Sequence, residues 1–274
     1  MKIFFLGTAA FEGFPNPFCN GTFCEHSRRE KINRLRSSAV IDDKILIDFG
    51  PDIVASSQKF TKKLFEIEIL LITHSHPDHL YLPNLGLRMA PYNESYEELC
   101  KMHIISNETV ISEIAKHKYF DKQKNSLKVL APFFKYNLKK YEIMAVPANH
   151  KTSSDEQPFL YCIHNTDKTI FYATDTGPLN EKTLKTLKEK LPYKIDMLVM
   201  DATLGLSDSV FPYHHSFKTL KNEIERFKKY NLLSENPKIY AHHFSHHNNE
   251  FNDIKEKYNG IGVEVSLDGM EVKI

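Results

Sequence analysis

Six apolar runs along this 274-residue chain each end in a histidine or an aspartate, and this repetition constrains the fold more than any other feature. Asp48 follows KILI, His74 follows EILLIT, His150 follows IMAVPAN, Asp175 follows TIFYAT, Asp201 follows DMLVM and His243 follows KIYAH. Strands that end alike deliver their terminal side chains to one edge of a sheet, which is where such folds place their sites. Short meandering strands with helices between and after them imply a sheet-on-sheet core covered outside by helices. With 41% hydrophobic residues, a chain of this length buries a large core, and one domain spanning 1–274 is expected.

The coarse reading places strands at KIFFLG, SSAVID and KILIDFG, with a long irregular loop, residues 11–36, between the first two. A loop of that length inside a compact domain is usually functional. Helical spacing appears in DIVASSQKFTKKLF and NETVISEIAKHKYF, in the last third in NEKTLKTLKEKL and SFKTLKNEIERFKKYNLL, and again after Pro77 in HLYLPNLGLRMA. Lys+Arg number 36 against 35 Asp+Glu, so no global field draws nucleic acid or an anionic membrane, and phosphate recognition must be local. The N-terminal apolar stretch is too short for a signal-peptide core, and no run reaches about 18 apolar residues. A soluble cytoplasmic protein is the expectation. Four cysteines do not make a disulfide framework; Cys100 and Cys162 stand alone as reduced thiols.

The densest chemistry lies in THSHPDH, residues 73–79. In an extended segment residues i and i+2 point the same way, so His74 and His76 can share one metal ion. The turn after Pro77 then directs Asp78 and His79 toward a second ion. Of the adjacent His242 and His243 only one can face such a site, and His243 is chosen from its place before Phe244, Ser245 and His246.

This stretch resembles the signature of the metallo-β-lactamase fold superfamily, and the other elements follow in that superfamily's order: LIDFG, PANH, YATDTG and AHHFSH. The resemblance implies a four-layer αββα sandwich, an α/β (α+β) fold. It further implies one metal on His74, His76 and His150, a second on Asp78, His79 and His243, and Asp175 bridging both. Asp48 is implied as a buried supporting aspartate that binds no metal. Di-iron redox members carry glutamate where His76 stands, which favours hydrolysis over electron transfer.

The loop GTAAFEGFPNPFCNGTFCEHSRR and the late HHFSHH are similar to the branch containing the phosphodiesterase accessory protein of the carbon–phosphorus lyase pathway. There a C-x-C-x-x-C loop and a distant histidine hold a structural zinc. Here Cys19, Cys24 and His246 match that set, and Gly21 replaces the middle cysteine, which leaves a tetrahedral site one ligand short unless His26 or water fills it. His214 falls where that branch carries a histidine assigned to leaving-group protonation or phosphate contact, with His215 as second choice. The basic run RREKINRLR reads as a solvated helix face before it reads as a phosphate-binding one.

The function so implied is a metal-dependent hydrolase, a phosphodiesterase acting on a small or cyclic phosphodiester through a hydroxide bridged by two divalent ions, Zn or Mn. Asp78, His214 and His215 are its catalytic candidates. The expected partner is a small-molecule phosphodiester, with no membrane and no nucleic acid; a homodimer is left open. A lactonase or thioester hydrolase on the same metals, and a tRNA 3′-processing nuclease, are the alternatives.

Overall fold

The computed structural model describes residues 1–152, 155–208, 211–247 and 251–274, apart from the Phe251 side chain. Two seven-stranded sheets stack face to face. The first comprises β1 (Lys2–Gly7), β2 (Ser38–Ile41), β3 (Ile45–Ile47), β4 (Ile69–Leu71), β5 (Met102–Ser106), β6 (Asn125–Val129) and β14 (Glu271–Lys273), in the order β14-β1-β2-β3-β4-β5-β6. In the second, β7 (Lys135–Leu138), β8 (Tyr141–Pro147), β9 (Phe159–His164), β10 (Thr169–Ala173), β11 (Ile195–Asp201), β12 (Leu233–His242) and β13 (Glu264–Val265) run in the order β13-β12-β11-β10-β9-β8-β7.

The apolar runs are continuous because their strands are covered on both faces. In β11, Met197 and Val199 point between the sheets, while Leu198 and Met200 point outward. The outward side packs beneath α4 (Glu181–Lys190), α5 (Phe217–Lys229) and α6 (Phe251–Asn259) through Leu184, Leu187, Leu220, Ile224, Phe227 and Tyr258. On the other outer face, Leu46, Leu70 and Ile104 pack under α2 (Ile53–Lys59) and α3 (Glu108–Lys116) through Ile53, Val110 and Ile114. The layers are therefore α, β, β, α. Helix starts follow local chemistry: the Asn107 and Asn180 side chains accept from Val110 N and Thr183 N, at 2.9 and 2.8 Å, and Ser216 with Thr219 forms a capping box.

Parallel pairing of β3 with β4, of β10 with β11, and of β11 with β12 brings the C-terminal ends of these strands to a common edge. β8 points the same way, being separated from β10 by one antiparallel strand. Three expectations need correction. The segment after Pro77 forms no α-helix but a seven-residue 3-10 helix, Leu82–Arg88, with Pro83 in its first turn. The loop of residues 11–36 contains a helix, α1 (Thr22–Glu30). The arginines after it do not share a face, because Arg34 is buried against Phe244 and Arg36 pairs with Asp52 at 2.9 Å. Among the described residues no helix is long and apolar enough to cross a membrane.

Candidate metal centre

Three strand-end residues turn into the site through left-handed backbone: Asp48 (φ 62), Asp175 (φ 57) and His243 (φ 65). Asp and His tolerate this conformation better than most residues, and the turn swings each side chain from the sheet plane onto its edge. The loop bearing Asp78 crosses so close to Gly50 that a Cβ there would lie 1.9 Å from the Asp78 carbonyl oxygen. Gly177 is pressed in the same way against the Pro212 carbonyl, at 1.8 Å.

Two groups of side chains converge and share one carboxylate. In the first are His74, His76, His150 and Asp175, and in the second Asp78, His79, Asp175 and His243; within each, the ligand atoms lie within 4.8 Å of one another. His74 Nε2 stands 2.9 Å from His76 Nδ1 and 3.2 Å from Asp175 Oδ2. His79 Nε2 stands 3.1 Å from both Asp78 Oδ2 and Asp175 Oδ2. The far ring nitrogens are held from behind: His79 Nδ1 by Asp48 Oδ2 at 2.7 Å, His243 Nδ1 by Thr203 Oγ1 at 2.9 Å, and His74 Nδ1 by Thr73 Oγ1 at 2.9 Å. This fixes which nitrogen of each ring faces the centre, as outer partners of metal-binding histidines do.

Electrostatics agree with a cation site. Burial would raise the Asp175 carboxyl, yet the surrounding imidazoles of His243, His74, His79 and His150 hold it well below the usual carboxylate range. Burial, reinforced by His79, pushes His74 down to about 3, so its ring is neutral and able to donate a lone pair. Asp78 Oδ1, Asp175 Oδ1 and the Nε2 atoms of His79 and His243 are buried and make no well-aligned hydrogen bond among the described residues, although His79 Nε2 and Asp175 Oδ1 lie at ion-pair distance from charged neighbours. Buried polar atoms are rarely left so. Divalent cations placed among these nitrogens and oxygens would satisfy all four, and neutral imidazole with carboxylate is a donor set suited to Zn or Mn.

A third group joins Asp175 and His243 to His214 and Asp201. His214 Nδ1 lies 3.1 Å from Asp201 Oδ2 and 3.2 Å from Asp175 Oδ1; burial opposes its charge, but these carboxylates hold it up at about 9. Asp201 is fully buried and also accepts from Thr203 N, Thr203 Oγ1 and His215 N. Sequence reasoning marked Asp201 as a strand end and gave it no role; the signal was there, but its histidine partner lies thirteen residues on. His214 lines a cavity of ≈ 340 Å³ with Phe11, Glu12, His76, Asp78 and His243.

His215 does not reach this cavity. Its main chain is fixed by Asp201, its ring turns to Thr219 Oγ1 at 3.2 Å under α5, and burial pushes it down to about 4. His242 also faces away, between the sheets, where Ser37, Tyr172 and Ser266 surround it. The expected structural zinc set is not assembled: among the described residues, Cys19, Cys24 and His246 form no group with ligand atoms within 4.8 Å of one another. His246 Nδ1 is held by Glu12 Oε1 at 2.6 Å, and His26, the reserve ligand, is exposed on α1.

An αββα sandwich with histidines and aspartates gathered at one edge of its two sheets defines a metal-dependent hydrolase of the metallo-β-lactamase fold. Residues 43–243 match the model of the beta-lactamase superfamily domain, and the chain belongs to that family. Coenzyme PQQ synthesis protein B from Acinetobacter baumannii (strain ACICU) is 24% identical, with both chains fully covered. Among solved structures, zinc-bound PqqB from Methylobacterium extorquens superposes with a TM-score of 0.76 at 16% identity, covering 100% of each chain. A diphosphatase of the PhnP family gives 0.75 at 20% identity, covering 99% of this chain and 96% of its own, and shows the same fold.

Proposed function

We propose that the protein is a phosphodiesterase acting on a small or cyclic phosphodiester, with His74, His76, His150 and Asp175 holding one divalent ion and Asp78, His79, His243 and Asp175 a second. When bound, such ions supply Lewis acidity toward water and phosphoryl oxygens. The chain's own residues do the rest. Asp175 and Asp78 offset cation charge that neutral imidazoles cannot. Asp48 and Thr203 hold the rings of His79 and His243 in one orientation.

The observation that carries the reading is His214 on the cavity wall, backed by the buried Asp201. With Nδ1 committed to Asp201 at 3.1 Å, His214 keeps Nε2 as its remaining proton-bearing atom. A positioned imidazole that delivers a proton to a departing alkoxide contributes about 10²- to 10⁴-fold. Phosphodiesters with alkoxide leaving groups need that proton, whereas thioesters, which expel a less basic thiolate, do not; a lactone also expels an alkoxide, and turnover of the two substrate classes separates them. Balanced charge, 36 Lys+Arg against 35 Asp+Glu, and a cavity of ≈ 340 Å³ favour a small substrate over tRNA.

The test is a substrate panel with added Mn or Zn: bis-p-nitrophenyl phosphate, cyclic ribose phosphates, a p-nitrophenyl ester, a thioester and a lactone. Turnover of the phosphodiesters above the others supports the proposal, and preference for the carboxylic substrates overturns it.

A further inference from the structure

The resemblance puts a structural zinc between the N-terminal loop and the strand bearing His243, and the residues present do not fit one. Two jobs would fall to that metal: closing the Cys19–Cys24 segment on itself, and tying it to the end of β12. Other groups occupy both positions. Arg28 on α1 donates to the Asn16 and Cys19 carbonyls at 2.6 and 2.7 Å and pairs with Glu25, so the loop is closed by a guanidinium. Cys24 is buried beside the Cys19 thiol, and among the described residues no third histidine, cysteine or carboxylate joins the two with ligand atoms within 4.8 Å.

The second job is done by Glu12. Its Oε1 accepts from Ser245 Oγ at 2.6 Å, His246 N at 2.9 Å and His246 Nδ1 at 2.6 Å. Three donors on one carboxylate oxygen make a charge-assisted clasp, stronger than neutral hydrogen bonds. Backbone bonds flank it, Ala10 N to Phe244 O and Phe244 N to Thr8 O, both 3.0 Å. Ser245 and His246 follow His243 by two and three residues, and Glu12 itself lines the metal cavity with Phe11.

We infer that Glu12 is a positioning residue that fastens the N-terminal loop across the metal cavity, in place of a structural zinc. The loop's location, and with it one wall of the substrate cavity, then depends on a carboxylate and not on metal occupancy at the cysteines.

Three measurements on the full-length, metal-loaded protein test this. Elemental analysis of the Cys19→Ser/Cys24→Ser double variant should give the same zinc content per chain as the unmodified protein. Trypsin cleavage after the exposed Arg29 and Lys31 should quicken about tenfold or more in Glu12→Ala, as loss of a charge-assisted bond implies, and return most of the way in Glu12→Gln, whose amide oxygen still accepts. The kinetic arm rests on the phosphodiesterase reading: KM for bis-p-nitrophenyl phosphate should rise about tenfold in Glu12→Ala with kcat changed by less than about threefold. Loss of one zinc per chain in the double cysteine variant would overturn the inference. So would unchanged cleavage in Glu12→Ala. Should Glu12→Ala not fold, Ser245→Ala removes one donor and takes its place, with unchanged cleavage again counting against the clasp. The zinc and trypsin arms need no substrate, so a failure of the phosphodiesterase proposal shows only in the kinetics.

Discussion

Replacing Gly50 by alanine should cripple the second metal group while leaving the fold intact. The added Cβ would sit 1.9 Å from the Asp78 carbonyl oxygen, so the Asp78 peptide must retreat by about 1.1 Å to reach the 3.0 Å that Cβ contacts observe. Asp78 and His79 ride on that peptide, and His79 Nε2 now meets Asp78 Oδ2 and Asp175 Oδ2, each at 3.1 Å. Such overpacking costs about 1–3 kcal/mol, a fall of roughly 2–5 °C in Tm for a domain of this size. The functional effect should be larger, because a misplacement of about 1 Å in a catalytic constellation lowers rate by about 10²-fold. Elemental analysis after metal-replete purification should show the group on His74, His76 and His150 still filled and the other depleted. Phosphodiester turnover should fall about 10²-fold with the circular-dichroism spectrum unchanged. Wild-type metal content together with wild-type turnover would refute the close-approach argument.

Other outcomes follow from the same geometry. Asp175→Ala should disturb both metals, whereas His150→Ala should weaken mainly one, as only the aspartate stands in both groups; equal losses from the two substitutions, read by elemental analysis, would contradict the bridging arrangement. Asp201→Asn should slow cleavage of alkyl phosphodiesters by about 10²-fold and bis-p-nitrophenyl phosphate far less, because a nitrophenolate departs without a proton; equal slowing on both substrates would remove Asp201 from leaving-group chemistry. His242→Ala should lower stability by about 2 kcal/mol or more while metal content is kept, and His243→Ala should do the reverse; thermal melts with metal counts separate them.

What was legible in the sequence is what neighbours in sequence determine. His74 and His76 could be paired because alternation in an extended segment is local, and Asp48, His150 and Asp175 could be placed because each closes an apolar run. His214 and His215 could not be separated, since the choice depends on Asp201 anchoring the His215 main chain at 2.8 Å and the His214 ring at 3.1 Å. Glu12 gave no signal at all: its three donors lie more than 230 residues away. The same holds for Glu156, which accepts from Ser75 N, Ser75 Oγ and Asn107 Nδ2 and so ties the loop after β8 to the THSHPDH segment. α1 was read as loop because Pro17, Gly21 and the cysteines mark turns, whereas Arg28 closes the helix onto the preceding loop. β7 leaves no mark in the sequence because it is a short, half-exposed edge strand without an apolar run.

The central claim is that one edge of this sandwich holds two metal ions through a shared aspartate. Elemental analysis of the purified, metal-replete protein tests it most directly. The account predicts two divalent ions per chain, falling together in Asp175→Ala; fewer than one ion per chain in the unmodified protein would contradict it.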